Sequence, residues 1–190
     1  MNTNRLEAFS DGVLAIIITI MVLELKAPEE VSLQALIPKL PIFISYLLSF
    51  VYVGIYWNNH HHLFQITEKV TGKVLWANLH LLFWLSLIPF TTSWLGENHL
   101  EFAPLALYGF TLLMSGVAFN ILQMIILKEH GEDFVLKKIL GKKNKEKASL
   151  LIYIIGLVLS FYAPGLAVAC YVVVALIWLV PNKKIENTIG

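Results

Sequence analysis

The reactive side chains of this sequence concentrate in two places. The first is Arg5-Leu6-Glu7-Ala8-Phe9-Ser10-Asp11-Gly12, which runs straight into an apolar series ending near Leu25. A carboxylate at the edge of hydrocarbon is costly unless paired, and such groups face protein or water. Arg5 stands six residues before Asp11 and is not its helical neighbour, so the partner of Asp11 is sought on another helix. Ser10 and Asp11 also suit a helix start, where a side-chain oxygen accepts from orphan backbone N–H groups. Beyond Gly12, Ile16, Thr19, Ile20 and Leu23 share one face at helical spacing, and Asp11 and Ala15 extend it. An acid, bulky aliphatics and one hydroxyl in a row make either an ion path or a packing stripe in which Thr19 bonds its own i−4 carbonyl.

The second place is Asn58-Asn59-His60-His61-His62. Consecutive helical residues point about 100° apart, so these imidazoles do not converge on one metal, and the i, i+4 pairing is missing. His80, His99 and His130 are isolated. A catalytic metal and a cofactor are therefore not expected. Hydrogen bonding between helices is, with a pH response near the imidazole pKa. The sole cysteine, Cys170, lies in an apolar run and reads as a small hydrophobe. Asn120 and Gln123, three apart, read as polar glue between helices or as a second ion path.

The elements that carry these residues follow from composition. The chain has 190 residues, 57% hydrophobic and only 14% charged, with a mean hydropathy of +0.71. Soluble domains average roughly 25% charged, so disorder and an ordinary soluble enzyme are excluded and an all-α integral membrane protein is indicated. A net charge of +1 gives no electrostatic case for nucleic acid. The N-terminus lacks a basic n-region and a small-residue cleavage site, so the first apolar segment is read as retained.

A helix needs about 20 mostly apolar residues to cross hydrocarbon. Six segments qualify: about Glu7–Leu25, Pro38–His60, Lys73–Trp94, Phe102–Leu127, Ala148–Ala163 and Gly165–Val180. One helix over the last two would be about 50 Å long, and Pro164-Gly165 is a strong break, so two short helices are expected. Residues 1–190 are thus one six-helix transmembrane domain.

With six spans, 12 of the 14 Lys and Arg share one side: Arg5, Lys69, Lys73, the Lys128–Lys147 loop, Lys183 and Lys184. Lys26 and Lys39 alone fall on the other. The positive-inside rule then puts both termini in the cytoplasm, in a multi-pass protein of the cell (inner) membrane. The basic loop is read as solvated, with anionic lipid as its alternative contact.

Arg-x-x-x-Phe-Ser-Asp opening the first of six spans, here Arg5, Phe9, Ser10 and Asp11, resembles the signature of the endosomal and lysosomal potassium channel family. The resemblance covers the chain in length, span count and topology. It implies a homotetramer, one six-helix repeat per chain, with four first helices lining a central pore. It also implies that Trp57, His61 and Asn78 hold the signature in place. The family's aliphatic constriction aligns with Ile16 and its hydroxyl linked to potassium preference with Thr19, where permeant K+ would pass. Both lie on the face derived from spacing.

The function so implied is passive, leak-type conduction of monovalent cations, with modest preference for potassium over sodium. A ring of Ile gates by expelling water. Glu24, or Glu29 and Glu30, would concentrate cations at the outer entrance. The alternative is a small secondary transporter or proton-coupled permease. Such proteins usually carry inverted repeats and midplane acids, and neither is visible in this sequence.

Overall fold

The computed structural model describes residues 3–98, 100–130 and 144–179. It is all-helical over them: α1 (Thr3–Leu23), a 3-10 turn (Leu33–Lys39), α2 (Leu40–Gln65), α3 (Gly72–Ser86), α4 (Ile88–Glu97), α5 (Phe102–His130), α6 (Asn144–Leu159) and α7 (Pro164–Leu179). His99, Val180, Lys183, Lys184 and most of the basic loop lie outside the described residues.

Local chemistry accounts for most helix starts. Ser32 caps the 3-10 turn through Ala35 N–H at 3.3 Å. Thr71 caps α3 through Val74 N–H. Pro41 and Pro164 sit at first-turn positions, where a missing N–H costs nothing. The expected break at Ala163-Pro164-Gly165 is present: a turn separates α6 from α7, which pack on each other as a hairpin.

Two expectations are corrected. The first helix begins at Thr3, not near Glu7. Ser10 and Asp11 therefore lie about two turns inside it and do not cap it. Arg5, Leu6, Glu7 and Ala8 are good helix formers, and nothing before Ser10 stops the helix. The third segment is not one helix. It breaks at Leu87, which ends α3 and starts α4. Pro89 is the cause: it has no N–H to give the carbonyl four residues back, and its ring clashes with that carbonyl.

The outer surface is apolar as well as the core, and polar side chains are buried within that core. Leu47, Phe83, Leu151, Val158 and Leu176 face outward, while Ser49, Asn78, Thr92, Thr111 and Ser115 are buried. Buried hydroxyls find partners across helices: Thr92 Oγ1 donates to Ser49 Oγ at 2.7 Å, and Ser49 Oγ meets Tyr108 Oη at 3.0 Å. Among the described residues, four segments are long and apolar enough to cross a membrane: Thr3–Leu23, Leu33–Gln65, Gly72–Glu97 and Phe102–His130. Pro164–Leu179 is apolar and shorter.

Helix α5 packs on α3, α4, α6 and α7, and α1 packs on α2, α3 and α4. Close approaches are made at glycine. A Cβ on Gly96 of α4 would stand 2.7 Å from the Ile42 Cα of α2. Tyr171 of α7 lies directly on Gly109 of α5, and a Cβ on Gly156 of α6 would meet its ring at 2.6 Å. Cys170, half-buried, packs against the same core.

Candidate functional site

Helix α1 has two faces. Leu6, Ser10, Leu14, Ile17 and Met21, at helical spacing, are buried against the rest of the protomer. The opposite face is turned outward. Ile16 is 60% exposed and Leu23 is 72% exposed, with Phe9, Ala15, Thr19 and Ile20 also exposed. Ile16, Thr19, Ile20 and Leu23 thus stand together on the side away from the core. Asp11 is half-buried at the flank of that face.

The N-terminal half of α1 is latched to α2 and α3 by side chains. Ser10 Oγ donates to the Leu6 carbonyl at 2.9 Å and accepts from Asn78 Nδ2 of α3, also at 2.9 Å. With its amide nitrogen so engaged, Asn78 accepts at Oδ1 from His60 Nε2 of α2, 2.8 Å away. Trp57 Nε1 donates to Asp11 Oδ1 at 3.1 Å. His61 Nδ1 lies 2.6 Å from Glu7 Oε1, and its Nε2 meets Gln65 Nε2 at 2.8 Å. Asp11 therefore has its partner on another helix. Arg5 is exposed and, among the described residues, is not brought to Asp11.

Of the three residues expected to meet the signature, Trp57 reaches Asp11 and Asn78 reaches Ser10, whereas His61 reaches Glu7. The inter-helix hydrogen bonding expected of the histidine run is made by His60 and His61, whereas sequence reasoning gave Glu7 and Gln65 no partner. The signal was present: Glu7, Ser10 and Asp11 are spaced i, i+3, i+4, and so are Trp57, His60 and His61. Two such polar stripes belong opposite each other.

The Glu7–His61 pair is partly solvated, with side chains 20% and 38% exposed, and pairs of that kind contribute about 0.2–1 kcal/mol. Glu7→Gln and His61→Gln are each expected to lower the apparent melting temperature slightly, and the double variant no further than the worse single. Additive losses in thermal unfolding of the purified protein would show the two side chains to be uncoupled.

Just past the C-terminal end of α1, Ser93 Oγ of α4 donates to Glu24 Oε2 at 3.3 Å. Thr19 Oγ1 donates to the Ala15 carbonyl at 2.9 Å. With its proton spent on the helix, the hydroxyl oxygen presents lone pairs outward. Among the described residues no group of three His, Cys, Asp or Glu side chains is placed to hold a metal ion. His80 accepts from Trp84 Nε1 at 3.0 Å, and Asn120 donates to the Gly116 carbonyl at 2.9 Å.

Residues 5–89 match the model of the endosomal/lysosomal potassium channel TMEM175 family. A potassium channel of Chryseobacterium sp. (strain P1-3) is 56% identical over 189 residues, which covers 100% of this chain and 98% of that protein. The chain belongs to the TMEM175 potassium channel family. The crystal structure of a lysosomal potassium-selective channel TMEM175 homolog from Chamaesiphon minutus superposes with a TM-score of 0.81 at 28% identity, over 95% of this chain and 98% of that one. The human endosomal/lysosomal proton channel TMEM175 is 36% identical over 83 residues, 37% of this chain and 16% of that protein. TMEM175 proteins are multi-pass membrane ion channels, not enzymes. The stretch that matches the TMEM175 model contains every latch residue from Glu7 to Asn78.

Proposed function

We propose that the chain forms a homotetrameric, potassium-permeable cation channel of the cell (inner) membrane. Each protomer crosses six times with both termini in the cytoplasm, and the outward face of α1 lines a central pore. One observation carries this reading: α1 is latched by its polar back to α2 and α3 while Ile16, Thr19, Ile20 and Leu23 are left without cover in the protomer. The relatives that match over most of their length, named potassium channels or a potassium-selective homolog, support it.

In that assembly four Ile16 side chains make an apolar constriction that holds ions back by excluding water. Four Thr19 oxygens, three residues further out, offer ligands to a partly dehydrated cation. Potassium sheds its water more readily than sodium, so preference for it is modest. Arg5, Phe9, Ser10 and Asp11 build and hold the pore helix and do not touch the ion.

The test is recording from purified, reconstituted protein with potassium on one side and sodium on the other, beside its oligomeric state in detergent. A four-fold particle with passive current reversing toward the potassium potential is expected; a monomer or dimer without current overturns the reading. Thr19→Val is expected to move the bi-ionic reversal potential toward zero, because the ring of oxygens is gone. An unchanged reversal potential removes Thr19 from the selective site.

A further inference from the structure

Lys26 and Lys39 are the only basic residues in segments assigned to the outer side, and both line one groove. The groove forms where the chain leaving α1 folds against the 3-10 turn and the start of α2. Its cavity volume is about 490 Å³, within the range of small-ligand sites. The rest of its wall is apolar, chiefly Leu36, Leu40, Ile42 and Phe43, and no carboxylate lines it. Glu29 and Glu30 of the same connection are exposed and stand outside the lining. Among the described residues neither lysine forms an ion pair.

We propose that this groove binds an anionic phospholipid of the outer leaflet, its phosphate between the Lys26 and Lys39 ammonium groups and an acyl chain along Leu36, Leu40 and Phe43. An apolar trough in a bilayer takes up any tail. Two lysines in a lining that holds no acid select a tail that carries a phosphate. Lysine suits this place because its stem lies along apolar surface while its charge stays at the interface. Lys26 follows the end of α1 by three residues, so a lipid seated here braces the outer end of that helix. The binding claim rests on membrane embedding alone; its leaflet rests on the topology proposed above.

The experiment is native mass spectrometry of the purified full-length protein titrated with phosphatidylglycerol, or with diacylglycerol of the same chains. The wild type is expected to retain phosphatidylglycerol well above diacylglycerol. Lys26→Gln with Lys39→Gln should weaken phosphatidylglycerol about thirtyfold and leave diacylglycerol unchanged. Leu40→Trp, which fills the groove and keeps both lysines, should weaken both lipids. Equal phosphatidylglycerol retention by wild type and the double lysine variant overturns the proposal. So does cross-linking of a neighbouring protomer into the groove with no lipid retained. Normal current without phosphatidylglycerol binding defeats this proposal and spares the channel reading; binding without current does the reverse.

Discussion

Ile16→Asn is expected to raise unitary potassium conductance about tenfold, since each 1.4 kcal/mol or so removed from a barrier is a factor of ten in rate. An ion at an apolar ring gives up part of its hydration with nothing in return. Four carboxamides in place of four sec-butyl groups hold water there and offer oxygens to the ion. The substitution should leave the protomer intact, because Ile16 is 60% exposed and surface changes away from caps and buried networks stay within about 0.5 kcal/mol. Single-channel recording in planar bilayers, beside a melting curve, checks both parts. A variant that folds, assembles and conducts like wild type would show that the narrowest point lies elsewhere.

Asp11→Ala is expected to impair assembly. The change removes the acceptor of Trp57 Nε1, 3.1 Å away, and with it one of the latches that set the direction of α1. Both partners belong to one protomer, so the loss, about 1 kcal/mol, acts on assembly through the direction of α1 and not as a contact between protomers. Asp11→Asn keeps a carbonyl oxygen for the indole and should assemble far better than the alanine variant. Size-exclusion chromatography with multi-angle light scattering reads the difference. Full tetramer recovery for Asp11→Ala would mean that the bond to Trp57 is incidental to assembly.

Much of this was legible in the order of residues, and the parts that were not have physical reasons. The face Ile16, Thr19, Ile20, Leu23 follows from helical period alone, and it stands outward as one surface. The hairpin at Pro164 follows from hydrocarbon thickness and proline geometry. Helix α1 starts earlier than the hydropathy of its segment suggests, because Arg5 and Glu7 are helix formers that a hydropathy window discounts. Pro89 lies within an apolar run, so composition hides the break that backbone hydrogen bonding imposes at Leu87. The pairing of His61 with Glu7 depends on how far α2 slides along α1. Periodicity tells which residues share a stripe and is silent on register between stripes.

The break at Leu87 bears on how α1 can move. Its N-terminal half is tied to α3 through Asn78 and Ser10, and the chain just past its C-terminus to α4 through Ser93 and Glu24. An unbroken rod behind α1 would transmit a tilt from one end of that helix to the other as a lever does. With a joint at Leu87 the two ends of α1 are held by separate helices, so a tilt at one end is expected to pass only weakly to the other.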